Sequence, residues 1–364
     1  MKIAINALPY TSYQGIENFL VGLLRAWPKS EDIITVFANE KSAAFLTDLP
    51  PYIKIEIKKF TKTTRLRLFY YQQFVLPQIL KKEKFDIIFC PSLESSWLFS
   101  KKIVTIHDAA PFVLENENSF IGKIYWQSCL FFAKHFSLGI VTVSEFSRQE
   151  LITSLGIKAE KIKIIYNAPP ILSAANIQNY TEIKKITNPY IITVGNARPR
   201  KNLDALLSAY QQISTKRPDY KLLIIGKMDK EMEKLKAKNI PGIIFTGFID
   251  EKEKYRLLAG AKLLVLPSLY EGFGVPILEA QNLKIPVICT DITAFREAAG
   301  AAALFFDKNK ATDIANKIEN LLDNPALAEE LSVKGKINTQ RFSWTDSNAR
   351  LITLIHQHEN ITDK

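Results

Sequence analysis

Long apolar runs are missing from this chain. No stretch of about 18 uncharged apolar residues occurs, which argues against a membrane-spanning helix. The opening residues, MKIAINALPY, read as a short strand with no long apolar segment behind them, so no secretory leader is expected. Cysteine is scarce and odd in number, with Cys90, Cys129 and Cys289 far apart. A disulfide scaffold is excluded, buried thiols in a reducing compartment are expected, and the address that follows is the cytoplasm. The four histidines, at 107, 135, 356 and 358, show no zinc-ligand spacing. There is no G-x-G-x-x-G, because Gly272-Phe-Gly274 is not followed by glycine at 277, and there is no Walker lysine motif. A dinucleotide dehydrogenase is thereby disfavoured.

What is present is ordinary in bulk and unusual in charge. The chain has 364 residues, 47% apolar and 23% charged, which suits a soluble globular protein. At about 150 residues per domain that length predicts two domains. The formal net charge is +11 and the pI about 9.3, pointing to nucleic acid, an anionic membrane surface or a phosphorylated substrate. No helix-turn-helix, zinc-finger or ribonucleoprotein motif supports nucleic acid. The densest basic stretch, Lys54–Tyr71, holds six Lys or Arg against Glu56, interleaved with Phe60, Phe69, Tyr70 and Tyr71. It reads either as a solvated strand end followed by an amphipathic helix or as a peripheral contact with anionic headgroups.

Short apolar runs alternate with helical patterns, the signature of parallel α/β sheets. Strands are expected at Lys2–Asn6, Ile33–Phe37, Ile53–Ile57, Ile87–Phe89, Ile103–Ile106, Ile140–Val143 and Lys163–Ile165, with helices such as Glu17–Trp27 and Arg65–Lys82 between them. After an Asn-, Pro-, Ser- and Ala-rich break the rhythm restarts at Tyr190–Val194, Lys221–Ile225, Ile243–Thr246, Leu263–Leu266, Val287–Cys289 and Ala303–Phe305. The expected division is a first domain over 1–170, a linker over 171–189, a second domain over 190–343 and a terminal amphipathic helix within 344–364.

Open parallel sheets bind ligands beyond the carboxyl ends of their strands, and the unusual residues fall there. After Leu263–Leu266 comes PSLYEGFGVPILE, a glycine loop with Gly272, Phe273 and Gly274 that feeds a helix beginning near Val275 and Pro276. Pro276 suits the first helical position, and backbone N–H groups at such a terminus suit a phosphate. The carboxylates Glu271 and Glu279 would repel phosphate, so they suit hydroxyls of a sugar and a ribose. After Tyr190–Val194 comes VGNARPRKNL, with Gly195 and the cations Arg198, Arg200 and Lys201 ahead of a helix. Cations at a helix start oppose its dipole unless an anion sits there, and arginine and lysine match phosphate oxygens. Further strand-end candidates are Gly226, Phe248, the pair His107-Asp108, and Gly15 ahead of the helix from Glu17. No Asp-x-Asp pair occurs, the motif with which many metal-dependent sugar-nucleotide transferases hold their metal. A diphosphate here is therefore expected to be neutralised without metal or other cofactor.

Together these motifs resemble the retaining glycosyltransferases of family 4. The likeness rests on Glu271 and Glu279 as E-x7-E in EGFGVPILE, on PSLY, VGNARPRKNL, the HD after a strand and VSEFSRQEL, and it spans essentially the whole chain. It implies two Rossmann-like doubly wound domains facing a cleft (GT-B), with the last helix crossing back to the first domain. It also implies that Glu279 holds ribose hydroxyls, Glu271 the donor-sugar hydroxyls, and Arg200 and Lys201 the diphosphate. Gly274 and Val275 would add N–H donors, with His107 near the sugar. Two departures stand out. Asn196 replaces the arginine that many members carry after the glycine, a form populated by mannosyltransferases of surface polysaccharide synthesis, and only Gly15 remains of the usual N-terminal glycines. The activity implied is metal-independent transfer of a hexose, mannose favoured, from an NDP-sugar (GDP-mannose over UDP-sugars) to a glycan or lipid-linked acceptor. A GT-B sugar-nucleotide epimerase and a non-catalytic carbohydrate- or nucleotide-binding protein are the alternatives.

Overall fold

The computed structural model describes residues 1–10, 15–60, 64–115, 117–170, 186, 188–308 and 310–359. The expected linker therefore lies, over 171–185 and at 187, outside the described residues. The chain divides into two compact units, Met1–Ala168 together with the segment from Phe342 onward, and Pro169–Arg341.

The first unit is built on a seven-stranded, all-parallel sheet of order β3-β2-β1-β4-β5-β6-β7. Its strands are β1 (Lys2–Ala7), β2 (Ile33–Asn39), β3 (Ile53–Lys58), β4 (Ile87–Cys90), β5 (Lys102–Thr105), β6 (Gly139–Thr142) and β7 (Ile162–Ile164). The second carries six parallel strands of order β10-β9-β8-β11-β12-β13. These are β8 (Tyr190–Val194), β9 (Lys221–Ile225), β10 (Ile243–Gly247), β11 (Leu263–Leu266), β12 (Val287–Thr290) and β13 (Leu304–Phe306). Every strand falls within a residue or two of the apolar run that announces it. The reason is burial on both faces: β1, β4, β8, β11 and β12 are buried along almost their whole length, so they read as continuous apolar segments. All three cysteines are free and buried, and burial pushes the Cys90 and Cys129 thiols up to about 12.

Helical segments conform less simply. The expected helix Arg65–Lys82 is an α-helix over Arg65–Tyr70, a π turn over Tyr71–Val75 and a further α-helix over Leu76–Lys82. The cause is Pro77, which has no N–H for the carbonyl four residues back, and the wider turn absorbs that loss. Among the described residues no helix is long and apolar enough to cross a membrane.

The helix Trp344–His356 packs within the first unit on the helix Gly15–Arg25. Asn348, almost fully buried, donates from Nδ2 to the Leu23 carbonyl at 2.5 Å, and Ser347 Oγ donates to the Tyr166 carbonyl at 2.7 Å. The Trp344 indole lies directly over Gly22, where an added Cβ would come within 2.3 Å of the ring. Gly22→Val should therefore overpack a buried contact, at a cost of about 1–3 kcal/mol. For a domain of this size that lowers the melting temperature by roughly 2–4 °C per kcal/mol. Wild-type melting of this variant, followed by calorimetry, would contradict the packing.

Candidate active site

Strand order in the second sheet reverses between β8 and β11, the switch point at which open parallel sheets hold ligands. The loops leaving these two strands are joined there, because the Leu269 N–H donates to the Arg200 carbonyl at 2.7 Å. Residues Pro199–Lys201 form a single 3-10 turn, and Asn202 follows at φ 51°, ψ 37°. That left-handed conformation is one asparagine tolerates better than most residues. It swings the chain straight into the helix Leu203–Lys216.

The turn carries two cations onto one carboxylate. Arg200 Nη1 donates to Glu271 Oε2 at 3.3 Å and to the Tyr270 carbonyl at 3.2 Å, while Lys201 Nζ is paired with Glu271 Oε1. Ser268 Oγ donates to the same Oε1 at 2.9 Å. All three charged side chains are 14–17% exposed, shielded yet reachable from solvent. Burial pushes the Glu271 carboxyl up, but the Lys201 and Arg200 charges, with hydrogen bonds from Lys201 and Ser268, outweigh it and hold the pKa below the usual carboxylate range. Two cations thus converge on one carboxylate, an arrangement that suits the approach of a second anion.

Glu279 sits apart from this cluster, on the helix Val275–Asn282, and is 1% exposed. It accepts from Lys254 Nζ at 2.7 Å and from the Tyr255 hydroxyl at 3.0 Å. Both donors lie on the helix Glu251–Ala259 after β10. No sequence signal marks Lys254 or Tyr255; only packing of that helix against the next brings them to the carboxylate. Ser268 lies inside the PSLY segment, and only the turn of the loop brings its hydroxyl onto Glu271.

The glycine loop reaches this helix through Gly274 at φ 116°, where an added Cβ would also meet the Phe295 ring at 2.9 Å. Gly272 and Phe273 are buried beside it. Val275 opens the helix and Pro276 takes its second position, one place later than expected, where its missing N–H is still an unbonded first-turn group. Gly195 directly follows β8, its N–H donated to the Ile225 carbonyl at 2.9 Å. Gly226 lies so close that a Cβ on it would stand 2.0 Å from the Gly195 carbonyl oxygen. Phe248 is different. It is 63% exposed beyond β10, an edge strand two places from the switch point.

Gly15 and His107 belong to the first unit, whose own switch point lies between β1 and β4. Gly15 opens the helix after β1 and is exposed. His107 Nε2 lies 2.8 Å from the Pro91 carbonyl oxygen. A carbonyl only accepts, so Nε2 carries the proton and Nδ1 keeps its lone pair. Desolvation lowers the imidazole pKa against the opposing pull of the Pro91 carbonyl and Asp108, which favours the neutral ring. The Phe19 ring packs edge-on against it at 5.2 Å.

Comparison with known proteins finds matches to both halves of the chain. Residues 13–169 match the family model "Glycosyltransferase Family 4", and residues 177–337 match "Glycosyl transferases group 1". The chain is 28% identical over 263 residues to the O-antigen chain mannosyltransferase B of Escherichia coli, covering 69% of each. It is 25% identical over 327 residues to the O-antigen chain mannosyltransferase RfbU of Salmonella typhimurium, covering 85% of this chain and 88% of that one. Among solved structures, Anabaena HepE in complex with UDP-glucose superposes with a TM-score of 0.77 at 18% identity, over 98% of this chain and 100% of that one. That likeness establishes the GT-B fold. With both halves matched in order over nearly the whole chain, the protein belongs to the family 4 glycosyltransferases and is a glycosyltransferase.

Proposed function

We propose that the protein is a retaining, metal-independent enzyme that moves a hexose, mannose in preference, from an NDP-sugar to a glycan or lipid-linked acceptor in surface polysaccharide synthesis. The observation that carries this reading is the convergence of Arg200 and Lys201 on Glu271 beside the switch point of the second sheet. The similarity to two O-antigen chain mannosyltransferases supports mannose and a surface glycan. In the reaction the bond from sugar C1 to the phosphate oxygen breaks and a bond from C1 to the acceptor oxygen forms on the same face. The acceptor proton passes to the departing phosphate. Negative charge grows on the diphosphate, and Arg200 and Lys201, already fixed and partly shielded, stabilise it without reorganising. As the diphosphate takes over the two cations, the oxygens of Glu271 become free to accept donor-sugar hydroxyls. Glu279, held by Lys254 and Tyr255, accepts the ribose hydroxyls.

The test is a panel of GDP- and UDP-sugars, read first as a rise in melting temperature and then as transfer. GDP-mannose is expected to stabilise most, and the anomeric configuration of the product should match that of the donor by NMR. Activity should persist in EDTA; complete loss, restored by a divalent cation, would overturn the metal-free reading. Inversion at C1 would overturn retention.

A further inference from the structure

In the first unit, two long helical stretches, Arg65–Lys82 and Phe120–Phe136, contain no Asp or Glu at all. A surface helix ordinarily turns a charged or polar face to water. These expose apolar side chains instead. Leu66, Phe120 and Ile121 are each more than 75% exposed, and Tyr70, Phe74 and Ile124 are about half exposed.

The two stretches are neighbours. Phe69 packs edge-on against Trp97 at 5.3 Å and against Tyr125 at 6.1 Å, and Trp97 stacks on Phe132 at 4.6 Å. Leu66 and Tyr70 flank Phe69 along the first stretch, while Ile121 and Ile124 stand one turn and one residue before Tyr125 on the second. The exposed groups therefore rim a common aromatic seam. Phe74 extends the rim, its ring 5.3 Å from that of Tyr70. Arg67 and Lys123 are exposed on the same helices, and Lys59 is exposed beside Phe60, whose ring meets Tyr71 at 5.5 Å.

This geometry revises the basic stretch Lys54–Tyr71. Lys58 is paired with Glu56, and Phe60, Phe69 and Tyr71 are turned into ring contacts, leaving Tyr70 as its exposed aromatic. Residues 61–63 lie outside the described residues, so Lys62 does too.

Exposed apolar patches on soluble proteins mark interaction sites. One that mixes aliphatic, aromatic and cationic side chains on two stretches free of Asp and Glu, where the partly buried Glu94 carboxylate is taken up by the Tyr125 hydroxyl at 3.0 Å, fits the interface of an anionic bilayer. A second copy fits poorly, because a two-fold contact would set Arg67 and Lys123 against like charges. We infer that this face, with Leu66, Phe120, Ile121 and Ile124 among the acyl chains, Tyr70 at the headgroups and Arg67 and Lys123 on lipid phosphates, seats the enzyme on an anionic bilayer. The inference rests on the reading of the acceptor as lipid-linked only for the purpose such a seat would serve.

The experiment uses the full chain and vesicles of phosphatidylglycerol with phosphatidylethanolamine, compared with pure phosphatidylcholine. Wild type should co-sediment with the anionic vesicles. The triple variant Phe120→Ser, Ile121→Ser, Ile124→Ser, which alters exposed positions, should keep its melting temperature and lose at least tenfold in vesicle affinity at low and high salt alike. The variant Arg67→Gln, Lys123→Gln should lose the preference for anionic over zwitterionic vesicles. Failure of wild type to bind anionic vesicles at low salt would overturn the inference, as would wild-type binding by the triple variant. So would a wild-type dimer, indifferent to vesicles, that the triple variant converts to monomer. Vesicle binding by a protein whose melting neither GDP nor UDP raises would support the surface and count against the donor-site reading. The reverse result would overturn the surface alone.

Discussion

Replacing Lys201 with alanine is expected to lower turnover by about 100- to 1000-fold, the loss typical of one principal donor to a developing oxyanion. Lys201 sits on a solvent-reachable turn rather than in the core, so the fold should survive, with the melting temperature lowered only by the part of the Glu271 pairing that Arg200 does not keep. The effect should appear in kcat as well as kcat/KM, because diphosphate charge is greatest as the sugar departs. Arg200 remains on Glu271 in this variant, which keeps the loop joined to β11 through the Leu269 N–H. Activity within about threefold of wild type would remove Lys201 from the diphosphate site, since a group stabilising that charge is worth far more.

The second large effect separates the two carboxylates. Glu271→Gln should cut turnover by about 100-fold or more, in the range for loss of one group aimed at the reacting sugar. Binding of free GDP or UDP should hold or tighten, because Arg200 and Lys201 lose their internal anion and become available to the diphosphate. Glu279→Gln should weaken free nucleotide instead, and leave less effect on kcat at saturating donor. Equal weakening of nucleotide by both substitutions, measured by calorimetry, would contradict the division of roles.

The Glu271 variant also reports on pH. The Glu271 pKa is held below its unfolded value, which lies near pH 4.3 for a glutamate. The pair therefore contributes stability that is fully present above that pH and disappears as the pH falls through the lower, folded value. The difference in melting temperature between wild type and Glu271→Gln should be constant from pH 6 to 8 and move toward a new limit only below about pH 4, as both states protonate. A difference that changes around neutrality would show that another group controls the cluster.

Much of this was legible in the amino-acid sequence, for local reasons. Strands buried on both faces must be apolar throughout, and that marks β8, β9 and β11 to the residue. A glycine at Gly274 ahead of a proline, with a glutamate on each side, is a turn-to-helix pattern contained in nine consecutive residues, Glu271–Glu279. Asn196 and the run Arg198–Asn202 likewise lie within a single loop. In each case the residues that make the feature are chain neighbours, so composition and spacing carry it.

Tertiary structure decided what distant residues do together. Arg200 and Lys201 reach Glu271 across 71 and 70 residues only because the sheet places β11 directly beside β8. Lys254 and Tyr255 reach Glu279 through the packing of two helices whose contact no local pattern encodes. Gly22 looks like any glycine in a helix until the Trp344 ring, more than 300 residues away, is laid against it. The aromatics of Lys54–Tyr71 all look alike in sequence, yet Phe69 is committed to Trp97 and Tyr125 while Tyr70 is left facing water. Which face of a helix is covered depends on the element packed against it. Sheet order and helix placement, rather than periodicity, therefore set the charge balance of the site and the chemistry of the surface.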